Sequence, residues 1–373
     1  MITYQLQQLR ERLDQIKPFY VKTKSMPVLN CIRVSPRIIE YSNLDVTFSA
    51  PMNGSGEGIF MVPFQTLYEY VKSSEMPEII FDETNGQVMF GDSSTRFVMQ
   101  DYYSPDDFPT IPVNDFNVAG AATPQQVQHA FSCSYAADKD DIRFNLNGVC
   151  VDAPNKTVVA TNGHRLALRK MEFTLNSKDK HIIPRFVASG LLEIIKGKSE
   201  VVQFSPSEID RRWIAIRTGD VSLYIKGYDQ YPNYEAVLPR EGALKLSFFD
   251  VKSAVKQLRE IKKVSPKLRV FALKGSDSET VYAATASYRG VMQGCKAYQE
   301  CFFLVNINYL LDCLKQYEKA GTLVYVRNNK DKASPWVFSS QNSSDIDLIM
   351  PLRGDKEELW FKDTEDVKQQ EGQ

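Results

Sequence analysis

His129, His164 and His181 are the only imidazoles in a chain of 373 residues. One of them sits where chemistry could be done. The heptapeptide Thr161-Asn162-Gly163-His164-Arg165-Leu166-Ala167 follows Thr157-Val158-Val159-Ala160, which reads as a strand. Gly163 marks a tight turn, and a cationic residue follows it. In an enzyme, His164 would be a general base, for example in a nuclease or hydrolase with a carboxylate such as Asp141. The sequence places no carboxylate or cysteine to partner it. The six cysteines, Cys31, Cys133, Cys150, Cys295, Cys301 and Cys313, form no C-x-x-C pair, so neither a zinc ribbon nor a thioredoxin motif is expected. No phosphate-cradling G-x-x-x-x-G-K-[ST] and no H-E-x-x-H occurs. No cofactor or metal is expected.

A second chemistry is the binding of phosphates. On a helix running from Phe248 to Val264, Lys252, Lys256, Arg259 and Lys263 share a stripe about 60° wide. Val251, Val255, Leu258 and Ile261 lie on another arc of the same helix. One face can bury while the other offers cations to a nucleic-acid backbone, a contact that is salt-sensitive and blind to sequence. Arg10, Arg12, Lys17, Lys22 and Lys24 form a second cluster, and Lys196 and Lys198 a third. The balance of 45 Lys and Arg against 46 Asp and Glu permits one basic face but excludes a uniformly basic surface. Neither base stacking nor a recognition helix is suggested. A solvated helix face is the plain alternative.

These residues are carried by elements that recur. Val62-Pro63-Phe64, Ile183-Pro184 and Val305-Asn306-Ile307 each open a helical pattern, and they begin 121 and 122 positions apart. An apolar residue before proline recurs at Phe108-Pro109, Tyr231-Pro232 and Met350-Pro351, in steps of 123 and 119. A further helix begins each unit, marked by Leu6, Leu9, Leu13 and Ile16, by Val127, Ala130 and Phe131, and by Val251 to Ile261. A shared period of about 120 residues predicts three related domains. Between the helices, alternation such as Trp213-Ile214-Ala215-Ile216 predicts half-buried antiparallel strands. The fold class is therefore α+β, each unit having two helices packed on sheets. The domains are expected at 1–117, 118–242 and 243–353, followed by a polar, acidic tail at 354–373 expected to be partly disordered. No signal peptide and no membrane span is read from the chain, and scattered cysteines fit a reducing, cytoplasmic setting.

The order and spacing of several motifs resemble the bacterial DNA polymerase III beta subunit, the beta sliding clamp family. They are Thr161 to Ala167, Tyr231-Pro232-Asn233-Tyr234-Glu235-Ala236-Val237-Leu238-Pro239, Ile349-Met350-Pro351-Leu352-Arg353, Pro27-Val28-Leu29-Asn30 and Arg143-Phe144-Asn145-Leu146-Asn147-Gly148. They run from Pro27 to Arg353, and the resemblance covers nearly the whole chain. The resemblance implies three tandem clamp domains, and a head-to-tail homodimer whose six domains close a ring around double-stranded DNA. A heterologous contact that closes gives such a ring. The expected function is a processivity factor, not an enzyme, that tethers replicative and repair polymerases.

The resemblance also implies a groove between the second and third domains that captures short linear motifs of polymerase and clamp-loader subunits. Its expected wall is Arg143, Leu146, Thr161, Gly163, His164, Arg165 and Leu166. Pro232 and Val237 join it, with Leu348, Ile349, Met350, Pro351 and Leu352 from the last strand. Such residues make an adaptable apolar slot with a polar rim. Arg10, Lys22, Lys24, Lys196, Lys198, Lys252, Lys256 and Arg259 are expected to face DNA, and Ile261 the dimer interface. Ala236 departs from a longer basic side chain in the family, Asn145 and Asp140 from family DNA contacts, and Glu260 from an apolar interface position. The run Glu357-Glu358-Leu359-Trp360-Phe361 is similar to peptides that dock in the groove, which suits it to fold back into its own groove or a neighbour's and compete with partners; a loose tail with a surface aromatic pair is the plain alternative. Two other readings stay open: the histidine-dependent enzyme, and a repeat scaffold for another polymer.

Overall fold

The structure is a computed structural model. It describes residues 1–352 except 85–86, 100–102, 110–115, 140–142, 144, 208–209, 211, 229, 239–241, 277–278, 286, 319–321, 329–333 and 342. Asp140, Asp141, Phe144, Arg353 and the whole tail, with Glu357 to Phe361, lie outside the described residues.

Six α-helices occur among the described residues: α1 (Leu6–Ile16), α2 (Phe64–Ser73), α3 (Pro124–Phe131), α4 (Arg185–Ile194), α5 (Val251–Val264) and α6 (Ile307–Lys315). The expected recurrence is present in the element order. Helices α2, α4 and α6 each follow directly on a strand, Phe60–Pro63, Lys180–Pro184 and Cys301–Asn306. The corner is made by proline in the first two, Pro63 and Pro184. In the third, the Asn306 side chain accepts the Asn308 N–H at 3.0 Å. Proline presets the turn where asparagine satisfies an orphan helix donor, so two chemistries build one corner.

The chain forms two compact units. The first comprises Met1–Phe131, Lys139–Thr157 and Met171–Tyr231. One of its sheets has five antiparallel strands, with Arg96–Val98 at one edge. Another has eight, and joins strands of positions 31–63 to strands of positions 120–122 and 202–226 through the pairing of Val46–Pro51 with Val221–Lys226. Within this unit Gly190 of α4 lies against Phe19. A Cβ there would come within 2.5 Å of the Phe19 ring, so the packing requires glycine.

The second unit comprises Ser132–Asp138, Val158–Lys170 and the chain from Pro232 onward. Six of its strands run side by side: Arg165–Lys170, Ile346–Ile349, Trp336–Ser340, Val324–Asn328, Ala243–Phe248 and Cys295–Ala297. A four-stranded sheet runs from Arg289–Val291 at one edge to Cys301–Asn306 at the other. One core of this unit gathers Leu246, Phe248, Val255, Leu258, Phe303, Leu310, Leu314, Phe338 and Ile349, among others. Burial of each such side chain contributes about 1.5–3 kcal/mol.

Helix α5 begins three residues later than the sequence pattern suggests. Phe248 ends a strand paired to Val324 and Cys295. Asp250 then caps the helix by accepting the Ser253 N–H at 3.1 Å. An apolar residue fits both periodicities, so the cap decides the boundary.

Candidate functional site

The Thr161–Ala167 motif is a turn tied to itself and then a strand. The Thr161 hydroxyl donates to the Arg165 carbonyl at 2.7 Å and accepts the Gly163 N–H at 3.1 Å. The Asn162 carboxamide oxygen accepts the N–H groups of His164 and Arg165, both at 3.0 Å. Gly163 adopts φ +83° with open space around its missing Cβ, so backbone handedness and not crowding selects glycine. Thr161 and Asn162 are buried, while Gly163 and His164 are exposed at the tip.

From this turn, Arg165–Lys170 pairs antiparallel with Ile346–Ile349: Arg165 faces Ile349, Leu166 faces Leu348, Ala167 faces Asp347 and Leu168 faces Ile346. The Met350 N–H donates to the His164 carbonyl at 2.9 Å, and the Leu352 N–H to the Leu304 carbonyl at 2.7 Å. The last strand is thus laid beside the turn, with Met350 exposed next to it. Pro351 and Leu352 are half-buried, and Leu352 packs on Ala272, Ala284 and Leu304.

Alternation sorts the expected wall onto two faces. Leu166, Leu168, Ile346 and Leu348 share one face of the ladder. Arg165, Ala167, Arg169, Asp347 and Ile349 share the other, where Ile349 is part of the core. Ile349 is 1% exposed, and Leu166 and Leu348 3% each. Arg165 is only 6% exposed. It pairs with Asp312 at 2.9 Å and donates to the Tyr135 carbonyl, and it lies 5.1 Å from the Tyr135 ring and 4.7 Å from the Tyr309 ring. It supports the turn from within and is not a free rim cation.

Pro232 and Val237 are exposed in the second unit beside a 3₁₀ turn, Tyr234–Val237. Arg143 and Leu146 belong to the first unit, where the Leu146 N–H donates to the Arg143 carbonyl at 2.7 Å. Thr161, Gly163, His164, Leu166, Leu348, Met350 and Leu352 are brought together.

The cations divide as well. Lys252, Lys256, Arg259 and Lys263 are exposed along α5, opposite its buried Val251, Val255 and Leu258. Arg259 also meets Glu318 at 3.2 Å. Lys22, Lys24 and Lys196 are exposed and Lys198 is half-buried. Arg10 is engaged inside the fold, donating at 3.0 Å to the carbonyls of Val71 and Ser74 at the end of α2. It satisfies orphan helix acceptors there.

Ile261 is 7% exposed and packs in the core of the second unit. Beyond it Val264 is 86% exposed. Sequence reasoning missed two sheet edges, Arg96–Val98 with Phe97 and Val98 exposed, and Arg289–Val291 with Val291 exposed. Their short apolar runs were a faint signal, since only a sheet shows which strand is last. Among the described residues no His, Cys, Asp and Glu cluster could hold a metal, and no helix is long and apolar enough to cross a membrane.

Comparison with known proteins agrees with this arrangement. Residues 126–230 match the family model of the DNA polymerase III beta subunit, central domain. The fold is that of the beta sliding clamps. Over 95% of the chain and 99% of theirs, it superposes on a DNA polymerase sliding clamp of Bacillus subtilis with a TM-score of 0.81 at 18% identity. A sliding clamp of Bartonella birtlesii, solved bound to griselimycin, gives 0.82 at 20%. By sequence, the chain is 28% identical to the beta sliding clamp of Pseudomonas putida over 194 residues, 50% of this chain. That match spans 51% of the relative, so the chain covers about half the length of such clamps by sequence alone.

Proposed function

We propose that the chain is a non-catalytic sliding clamp, a cytoplasmic processivity factor that encircles double-stranded DNA and tethers polymerases to it. The three domains fall at 1–117, 118–242 and 243–353, and two copies close head to tail into a ring. The exposed edges Arg96–Val98 and Arg289–Val291 suit such a closure, because an unpaired edge is completed by another strand. The exposed cations of α5, with Lys22, Lys24, Lys196 and Lys198, meet phosphates without reading bases. A closed ring holds DNA by topology, so these contacts can stay weak enough to slide.

The observation that carries the reading is the ledge beside the Thr161–Arg165 turn. There His164 and Met350 are exposed and joined by a backbone hydrogen bond. Met offers a polarizable, adaptable apolar contact and His a polar one. Short linear motifs of polymerase and clamp-loader subunits bind on this ledge. Griselimycin, carried by the Bartonella birtlesii clamp, is the natural probe of it.

The test is topological. Once loaded on a nicked circular duplex, the protein should stay bound until the circle is linearised and then run off the ends. Release that is indifferent to linearisation overturns the reading. Turnover of a phosphodiester or ester substrate abolished by His164→Ala would favour a hydrolase instead.

A further inference from the structure

Strand Ile346–Ile349 meets Arg165–Lys170 through only four residue pairs. Arg165–Lys170 is buried at every position but its last, and the partner strand offers Ile346, Leu348 and Ile349. Apolar residues therefore occupy both faces, so hydrophobic pattern discriminates poorly against a slip of one residue. Yet register decides where the chain leaves the strand, and so whether Met350 reaches the His164 carbonyl.

One group breaks the degeneracy. Asp347 is wholly buried, opposite the small Ala167. Its Oδ1 accepts from the Tyr135 hydroxyl at 2.6 Å and from Arg169 Nη2 at 3.0 Å. Its Oδ2 accepts the Tyr317 hydroxyl at 2.5 Å. Arg169 is bound in turn by the Ser132 hydroxyl and by its neighbour's carbonyl, Leu168, both at 3.0 Å. Every donor is fixed by a different segment, so a shifted strand would leave a carboxylate and a guanidinium buried and unmatched. Burial opposes the Arg169 charge most strongly, but Asp347 together with Tyr135 and Tyr317 outweighs it and keeps the guanidinium protonated. Burial, then the Asp347 charge, pushes the Tyr135 and Tyr317 phenols well above their ordinary range, which keeps them donors.

We propose that Asp347 and Arg169 are positioning residues: a buried ionic pair that touches no ligand but locks the register that sets Met350 beside His164. This rests on the ledge being the ligand site. Its role is specificity of alignment, not net stability, since a buried pair can be replaced by apolar residues without loss of folding.

The experiment uses the full chain with Arg169→Met and Asp347→Leu combined, read by amide hydrogen exchange and griselimycin affinity. The expected result is cooperative unfolding retained, exchange at the Met350 amide at least tenfold faster, and affinity at least tenfold weaker. Exchange at Leu273, in the other sheet of the unit, stays unchanged. A merely structural pair would move both amides together, and that outcome, like wild-type exchange at Met350, overturns the proposal. If the double variant does not fold, Asp347→Asn carries the same comparison with the shape preserved. Failure of the wild type to bind griselimycin, with Met350 exchange still responding, overturns the ledge reading and leaves the register lock standing.

Discussion

The Arg165 guanidinium stands 2.9 Å from the Asp312 carboxylate, 147 positions away in sequence, with Tyr135 and Tyr309 within cation–π distance. Helix α6 thereby holds the turn that carries His164. Arg165→Ala removes the ion pair and both aromatic contacts. The expected loss is about 2–4 kcal/mol, toward the lower end because Asp312 is partly exposed. Arg165→Lys should not restore it, since an ammonium lacks the planar fork. Chemical denaturation checks both; a stability equal to wild type in Arg165→Ala would refute the bracing role.

Gly163 tests the turn itself. With φ +83° and no neighbour near its Cβ position, Gly163→Ala should cost about 1 kcal/mol by handedness alone. Gly163→Asn should cost less, because Asn tolerates this region. Equal denaturation midpoints for the two would contradict the account.

Met350 is 39% exposed, so Met350→Asp should leave the thermal midpoint nearly unchanged. Loss of an apolar contact of about 1.5 kcal/mol or more weakens ligand binding by about tenfold. Calorimetry with griselimycin reads this directly, and undiminished affinity would remove Met350 from the site.

The cations of α5 should appear in salt dependence. Replacing Lys252, Lys256 and Lys263 with Ala together lowers the slope of log affinity against log salt by about 2–3 if each meets a phosphate. Measurement on the closed ring around circular DNA decides, and an unchanged slope assigns these lysines to ordinary solvation.

Alkaline titration follows from the buried phenols. Tyr41 is pushed up to about 12, chiefly by burial, and Tyr135 and Tyr317 are raised well above the ordinary value. Their folded pKa values exceed the unfolded one near 10, so the neutral phenol is the form that folding favours. The associated stability is fully present below about pH 10 and is lost as pH rises above it. Tyrosinate absorbance should show these three silent at pH 10.5 in the folded chain. Their ionisation in the folded chain at that pH would contradict their burial.

The sequence by itself determined the threefold period, the strand–helix corners at Pro63, Pro184 and Asn306, and the Thr161–Ala167 turn. Each is a local signal, set by periodicity or by a residue whose backbone preferences act within a few positions. The amphipathic split of α5 was legible for the same reason. What tertiary structure decided was the fate of side chains with two uses. Arg10 reads as a cation but caps the end of α2. Arg165 reads as a rim contact but is buried against Asp312. Ile349 reads as a groove residue and is buried in the core. Asp347 gave no signal, because its partners Tyr135, Arg169 and Tyr317 converge from separate segments. Local sequence fixes what a residue can do, whereas burial and long-range partners select which of those it does.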